Sequence, residues 1–440
     1  MANIYVRSTD GNNVDDGSTW ALAKADLAGA AAIDAAGDVI YVSQAHSEST
    51  AAAVSYTWSG TRTAPTRVFG ANDGAEPPTA MATSPIVATT GASNLQLNVT
   101  TAVSLHVHGI QFTAGDGANT ANITLNSVSA AAIIFDSCLL YLRGTGSAGV
   151  INTGSGRVVL RDCTVRFSAA GHSLSPSAGI FHWIGGGFHA STTQPTNLFN
   201  TMSAGGRVLL DGVDLSAGAS TMNIAASNTA ALIAFVMRNC KLPASWSGTL
   251  NNSAGQGSRF SMYNCDSGDT NYRLLIKDGN GDITSETTLV RSGGASDGTT
   301  SLSWKLTSNT NALWEHQPLY SDEIVRWQDA VGGSITATIE ILHDSATPLT
   351  DKDVWLEVQY LGTSGVPLGA IVTDAAADYL ATAANQTTSS VTWTTTGMSN
   401  PNKQKLSVTF TPQEKGYLIA RVALAKASYT VYVCPKMDIT

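Results

Sequence analysis

Apolar positions in the first two thirds of the chain recur in one pattern, at a nearly constant step of about 25 residues. Segments 105–112, 133–140, 158–165, 208–215, 235–242 and 260–265 align on Ile110, Cys138, Cys163, Val213, Cys240 and Cys265, with steps of about 28, 25, 50, 27 and 25. The double step predicts a further copy at residues 183–188, centred on Phe188. Within a copy, the residues five and three before the anchor, the anchor and the residue two after it are nearly all apolar. That is the period-2 alternation of strands. One polar or small residue breaks it just before the anchor: Gly109, Ser137, Asp162, Gly187, Gly212, Asn239 and Asn264. Gly, Asn and Asp accept a left-handed backbone at least cost. Each copy therefore reads as two short strands joined at a one-residue bend. A repeat of this length marks a solenoid. Neither a Leu/Asn signature nor a 3.6-residue period is present. The pattern predicts an all-β chain that begins as a right-handed parallel β-helix, each coil about 4.8 Å above the last.

Ser18 and Thr19 before Trp20 predict a helix start, sustained by the Ala-rich run to Ala36 and ended by Gly37. Such a helix would plug the open end of the solenoid, and a strand at 38–42 follows it. Beyond about residue 275 the repeat stops, and residues 277–282 read as a turn or linker. Alternating stretches then appear at 301–307, 334–342, 353–360, 405–410, 417–423 and 430–434 without a fixed period. They predict an antiparallel, jelly-roll-like β-sandwich. The expected domains are residues 1–275 and 285–440.

Only 13% of residues are charged, which suits a tightly stacked β protein, and the net charge of −9 argues against nucleic-acid or anionic-membrane partners. No run of 18 apolar residues predicts a membrane span, and the first residues carry no signal segment. Cys138, Cys163, Cys240 and Cys265 fall on the anchor column, one coil apart in pairs. That spacing does not forbid disulfides. A reducing site of synthesis favours buried thiols, and no converging ligands suggest a metal.

Candidate chemistry is sparse. The column two before the anchor reads His108, Asp136, Arg161, Gly186, Asp211, Arg238 and Tyr263, and points outward. It places Asp136 beside Arg161 and Asp211 beside Arg238, read as charge pairs between coils. A glycosidase needs two carboxylates across a sugar site. Asp211 with Asp214 is the nearest approach to one, and Asp162 reads as a bend residue. His106, His108, His182 and His189 read as surface histidines. Gly185 to Gly187 lack the strand-to-helix context of a phosphate loop. Residues 10–17 offer oxygen ligands for calcium but equally an Asx-rich turn. No catalytic residue, cofactor or metal is expected. One column resists a bland account. Four before the anchor, and outward by parity, stand Ile134, Val159, Ile184, Leu209 and Val236, between His106 and Ser261. Five aliphatics in line would be worth on the order of 10 kcal/mol if covered, as an upper bound. Either the chain's own loops cover them or the chain self-associates there, and self-association is the favoured account.

The strand 37–42 followed by residues 64–70 resembles the opening coils of the pectin-lyase-like β-helix superfamily, over roughly residues 1–275. Residues 5–11 through 20–23, the coils and the appended sandwich together resemble tailed-bacteriophage virion proteins. The likeness is to the tailspike-related trimers that also serve as capsid decoration proteins. That resemblance implies a homotrimer in the virion, at the capsid surface, with the major capsid protein as partner and no enzymatic activity. The alternative is a receptor-binding tailspike or tail fibre that recognises host surface polysaccharide, with or without cleaving it. In that case Trp304, Trp314, Trp327, Trp355 or Trp393 could offer an exposed aromatic to a sugar. A cellular polysaccharide lyase is the third reading.

Overall fold

The computed structural model describes residues 2–99, 103–128, 131–226, 232–251, 258–268, 271–278, 281–286, 303–308, 319–343, 349–350, 353–362, 369–371, 390–392, 402–412 and 415–440. The chain divides into two compact units, Met1–Asn271 and Tyr272–Thr440.

The first unit is a parallel β-solenoid with three sheets. The first sheet runs through Asn3–Val6, Val39–Ser43, Thr66–Ala71, Ser104–His108, Ala132–Asp136, Arg157–Arg161, Ile180–Ile184, Arg207–Asp211, Ala234–Arg238 and Arg259–Asp266, each parallel to the next. A six-stranded second sheet runs from Ser47–Thr50 to Gly187–Phe188, and single bridges carry it on through Asp214, Lys241 and Asp266. A seven-stranded third sheet runs from Val54–Trp58 to Asn223–Ala225. Alternation turns every second residue inward. Leu105, Ile133, Val158, Phe181, Val208, Phe235 and Phe260 form one buried column of the first sheet. Phe199, Phe235 and Phe260 continue the interior as ring contacts of 5.6 and 5.5 Å.

The bend column adopts the left-handed backbone that its residue types predict. Gly109, Ser137, Asp162, Gly212, Asn239 and Asn264 have φ of 73°, 52°, 49°, 67°, 54° and 48°. The copy centred on Phe188 is out of phase by two residues. Arg161 pairs with Ile184, which places Gly185 (φ 65°) beside Asp162 as the bend. Gly187 instead lies in the second sheet opposite Thr164. Three glycines in a row hid the phase, because any of them could be the bend. Gly186 takes the place of the anchor and brings no side chain. Trp183, fully buried, lies beside that gap, with Nε1 donating to Cys163 O at 3.3 Å.

The anchor cysteines are buried free thiols. Cys138, Cys163, Cys240 and Cys265 each donate to the carbonyl two residues back, at 3.2–3.4 Å. Burial and the adjoining Cys138 push the Cys163 thiol well above its ordinary range.

The expected N-terminal helix is broken in two, a 3-10 turn at Trp20–Leu22 and an α-helix at Leu27–Ala31. Between them the backbone pairs with the first strand, Lys24 N donating to Tyr5 O at 2.8 Å and Arg7 N to Lys24 O at 2.9 Å. Thr19 caps the first piece and Asp26 the second, accepting from Gly29 N at 2.7 Å. Leu27 and Ala30 are fully buried, and the helix packs on Asn3–Val6 and Val54–Trp58, the first strands of two sheets.

The second unit is antiparallel throughout its described strands. One sheet joins Gly281–Glu286, Ser303–Ser308, Thr430–Ile439, Ile335–His343, Asn402–Phe410 and Ser390–Thr392. The other joins Ile324–Gln328, Gly416–Leu424, Val354–Gly362 and Gly369–Ile371. Of the segment read as a turn or linker, Lys277 pairs with Asp282 and Asp278 with Gly281, so its described residues belong to an antiparallel hairpin.

Gly212 isolates the cost of the bend, because a methyl added there would meet no atom within 4 Å. Gly212→Ala should lower stability by about 1–2 kcal/mol through backbone strain alone, and Gly212→Asn by clearly less. Urea unfolding of the two variants checks the order; equal midpoints for wild type and Gly212→Ala would contradict it.

Candidate functional site

The outward face of the first sheet is three columns wide, and strand register fixes its membership. The central column reads His106, Ile134, Val159, His182, Leu209, Val236 and Ser261. Ile184, expected here, instead pairs with Arg161 and Asp211 in the edge column, because the copy holding it is two residues out of phase. His182 takes the central place. The aliphatic stripe is thus interrupted once. It is also narrower than five free side chains, since neighbouring strands already leave Val159 only 5% exposed and Ile134, Leu209 and Val236 half-buried. Ile184 is 37% exposed.

The bend-side edge column carries the ion pairs that the spacing predicts. Arg238 Nη2 lies 2.8 Å from Asp211 Oδ2, and Arg161 Nη2 lies 3.9 Å from Asp136 Oδ2. His108 Nδ1 lies 3.7 Å from Asp136 Oδ1. Asn239 donates to Asp211 at 3.3 Å, and Asn264 donates to Asn239 at 3.0 Å, so the ladder continues along the bend. Hydrogen bonding from Arg238 holds the Asp211 carboxyl below its ordinary range. At Asp214 burial acts upward, but hydrogen bonds from Ser216 and the charge of Lys241 bring the carboxyl below its ordinary range. The Asp211 and Asp214 carboxyls therefore both stay ionised. A glycosidase needs one of its pair protonated.

Burial does raise the Asp34 carboxyl, yet Asp34 accepts from Ser59 N at 2.7 Å and from Thr66 Oγ1 at 2.9 and 3.0 Å. Those bonds tie coils together and present no oxygen to a substrate. The oxygen-rich loop at residues 10–17 is served from within. Buried Lys24 donates its ammonium to Asn13 O at 3.0 Å and also to Asp15 O. Asn12 and Asp16 cap backbone amides two residues on. Among the described residues, no three His, Cys, Asp or Glu side chains converge as a metal site would require. His182 lies on the first sheet, while His189 follows the second and accepts from Ser191 N.

The other edge column was missed. It reads Ala132, Arg157, Ile180, Arg207, Ala234 and Arg259. All three arginines are exposed. Their signal lay one position ahead of three of the aligned segments, those beginning at 158, 208 and 260, where an arginine precedes the first inward residue. In the second unit Trp355 is fully buried and Trp304 half-buried, while Trp327 is 40% exposed. Trp327 meets Tyr417 edge-on at 5.0 Å and donates Nε1 to Asp329 at 2.8 Å. Trp314 and Trp393 lie outside the described residues.

No protein-family model matches the chain, and no curated protein does. Among solved structures, the enzymatically active domain of tailspike protein 4 of bacteriophage CBA120 is similar, with 11% identity and a TM-score of 0.22. The match covers 94% of this chain and 65% of that one, so the chain spans just under two thirds of its length. At that TM-score the two do not superpose as wholes, and the fold here stands on its own strand register.

Burial holds His106 and His182 below the ordinary histidine range, reinforced by Arg161 and Arg67 at the first and by Arg157 at the second. The unfolded chain takes up these protons near pH 6.5 and the folded chain only at lower pH. Stability from the neutral rings is therefore full above about pH 6.5 and lost as pH falls below it. The unfolding midpoint should drop between about pH 7.5 and 5.5, and a His106→Gln, His182→Gln double variant should show a flatter profile. Parallel profiles would refute this.

Proposed function

We propose that this chain is a non-enzymatic structural component of a phage particle. In its specific form it is a homotrimeric decoration protein that sits on the capsid surface and clamps the major capsid protein. The observation that carries the non-enzymatic reading is the state of the outward carboxylates, with Asp211 bound to Arg238 and Asp214 to Lys241, both held ionised. A charged ladder locked between coils serves register and rigidity. It offers no proton donor for glycan cleavage. The virion setting rests on the sequence resemblance, and the homotrimer on that resemblance together with the aliphatic column of the first sheet.

A second reading, a receptor-binding tailspike or fibre, is favoured by the exposed Trp327–Tyr417 pair, whose apolar ring face and polar rim suit a pyranose. Copies per particle separate the two: hundreds support decoration, a few dozen or fewer support a tail position. Depolymerisation of host capsule or lipopolysaccharide by the purified chain would sink the non-enzymatic reading.

Self-association has its own test. Leu209 and Val236 are half-buried, so the fold tolerates their exchange better than that of buried Val159. Leu209→Asp with Val236→Asp should yield folded monomers, each lost side chain removing roughly 1 kcal/mol of contact per chain. Light scattering reads the mass and circular dichroism the fold; folded trimers of this variant would exclude the central column as the contact.

A further inference from the structure

The first-sheet face is cationic on an acidic chain. Its three columns carry Arg67, Arg157, Arg161, Arg207, Arg238 and Arg259 against two carboxylates, Asp136 and Asp211. The chain as a whole has a net charge of −9, so the rest of its surface is more acidic than the total. Arg161 and Arg238 are engaged by the two aspartates. Arg157, Arg207 and Arg259 are exposed, and among the described residues their guanidinium groups have no ion-pair or hydrogen-bond partner. They stand on alternate coils with Ile180 and Ala234 between them, a step of about 9.6 Å at about 4.8 Å per coil. The neighbouring histidines register the same field, since arginines help hold His106 and His182 neutral.

We infer that this face is one half of a heterologous interface between copies of the chain, in which the Arg157–Arg207–Arg259 row meets carboxylates on a different surface of the next copy. The inference rests on the self-association reading and names the chemistry of its contact. Two features select the occupant. The half-buried aliphatic column beside the row needs apolar side chains to cover it, which neither a nucleic acid nor a glycan supplies. The acid must come from a surface other than this one. Face-on-face pairing would set arginine rows against each other within a screening length. A ring of three satisfies the condition by construction, because a threefold contact always joins two different patches.

Salt and charge reversal test the assignment on the purified chain, with mass read by light scattering. The wild type should be trimeric at about 0.1 M salt and dissociate toward about 1 M, as the screening length falls from about 10 to about 3 Å. Arg157→Glu, Arg207→Glu, Arg259→Glu should weaken association at least about tenfold with an unchanged circular dichroism spectrum, roughly 1.4 kcal/mol or more. The three Lys substitutions should largely retain association. Arg207→Glu alone serves should the triple variant fail to fold. Trimers that tighten with salt, or that persist in the Glu variants, overturn the heterologous assignment while leaving self-association standing. A wild-type monomer at low salt overturns both.

Discussion

The left-handed bend is the constraint on which the rest of the solenoid depends. From Gly109 to Asn239 each bend amide donates to the carbonyl that precedes the bend one coil further on. Examples are Gly109 N to Asp136 O at 3.0 Å, Asp162 N to Ile184 O at 2.9 Å and Gly212 N to Arg238 O at 3.0 Å. The bend thereby links coils as well as turning the chain. It holds the first and second sheets in a fixed phase, so a residue's place in its own coil determines its neighbours above and below. A one-residue slip would reverse every inward and outward side chain of a strand. The strain of a non-glycine at φ near 50° is offset by ladder bonds such as Asn264 to Asn239.

Fixed phase also governs where charge can go. Positions one coil apart are about 4.8 Å apart, too close for like charges on an outer face. The bend-side column answers with alternating sign, Asp136 against Arg161 and Asp211 against Arg238. Ile184 stands between Arg161 and Asp211, so the column divides into two separate Asp–Arg pairs. The opposite column separates its arginines with Ile180 and Ala234. Both arrangements solve one problem, but only the second leaves charge free for something outside the chain. In the first, hydrogen bonding from Arg238 holds the Asp211 carboxyl below its ordinary range.

The same logic explains what could be read from sequence. A repeat that alternates and then bends leaves a strong trace, so the solenoid, the cysteine column and the Asp–Arg pairs were legible. Two readings failed where side chains stop carrying information. At Gly185 to Gly187 three residues without side chains could not mark the phase, and Ile184 was assigned to the wrong column. In the N-terminal segment alanine's helix propensity suggested one helix, whereas pairing of Lys24 with the first strand overrode it. The strand Ile324–Gln328, and with it Trp327, was also unmarked, for it is short and its Val325 and Trp327 face outward. The arginine row escaped because it lies just outside the window that the apolar pattern defines.

The broken cap follows from what a solenoid end needs. Its last strand presents unpaired backbone groups and its interior presents apolar side chains. One continuous helix would cover the interior but leave the edge of Asn3–Val6 open. The observed path does both. Lys24 pairs along the edge, and Leu27 and Ala30 then cover the interior three and six residues later. The pairing buries the Lys24 side chain, which would be costly unless its ammonium found acceptors. Asn13 and Asp15 supply them through their carbonyls. The loop at residues 10–17 is thus folded around an internal cation, which its backbone carbonyls at Asn13 and Asp15 hold at the end of the solenoid.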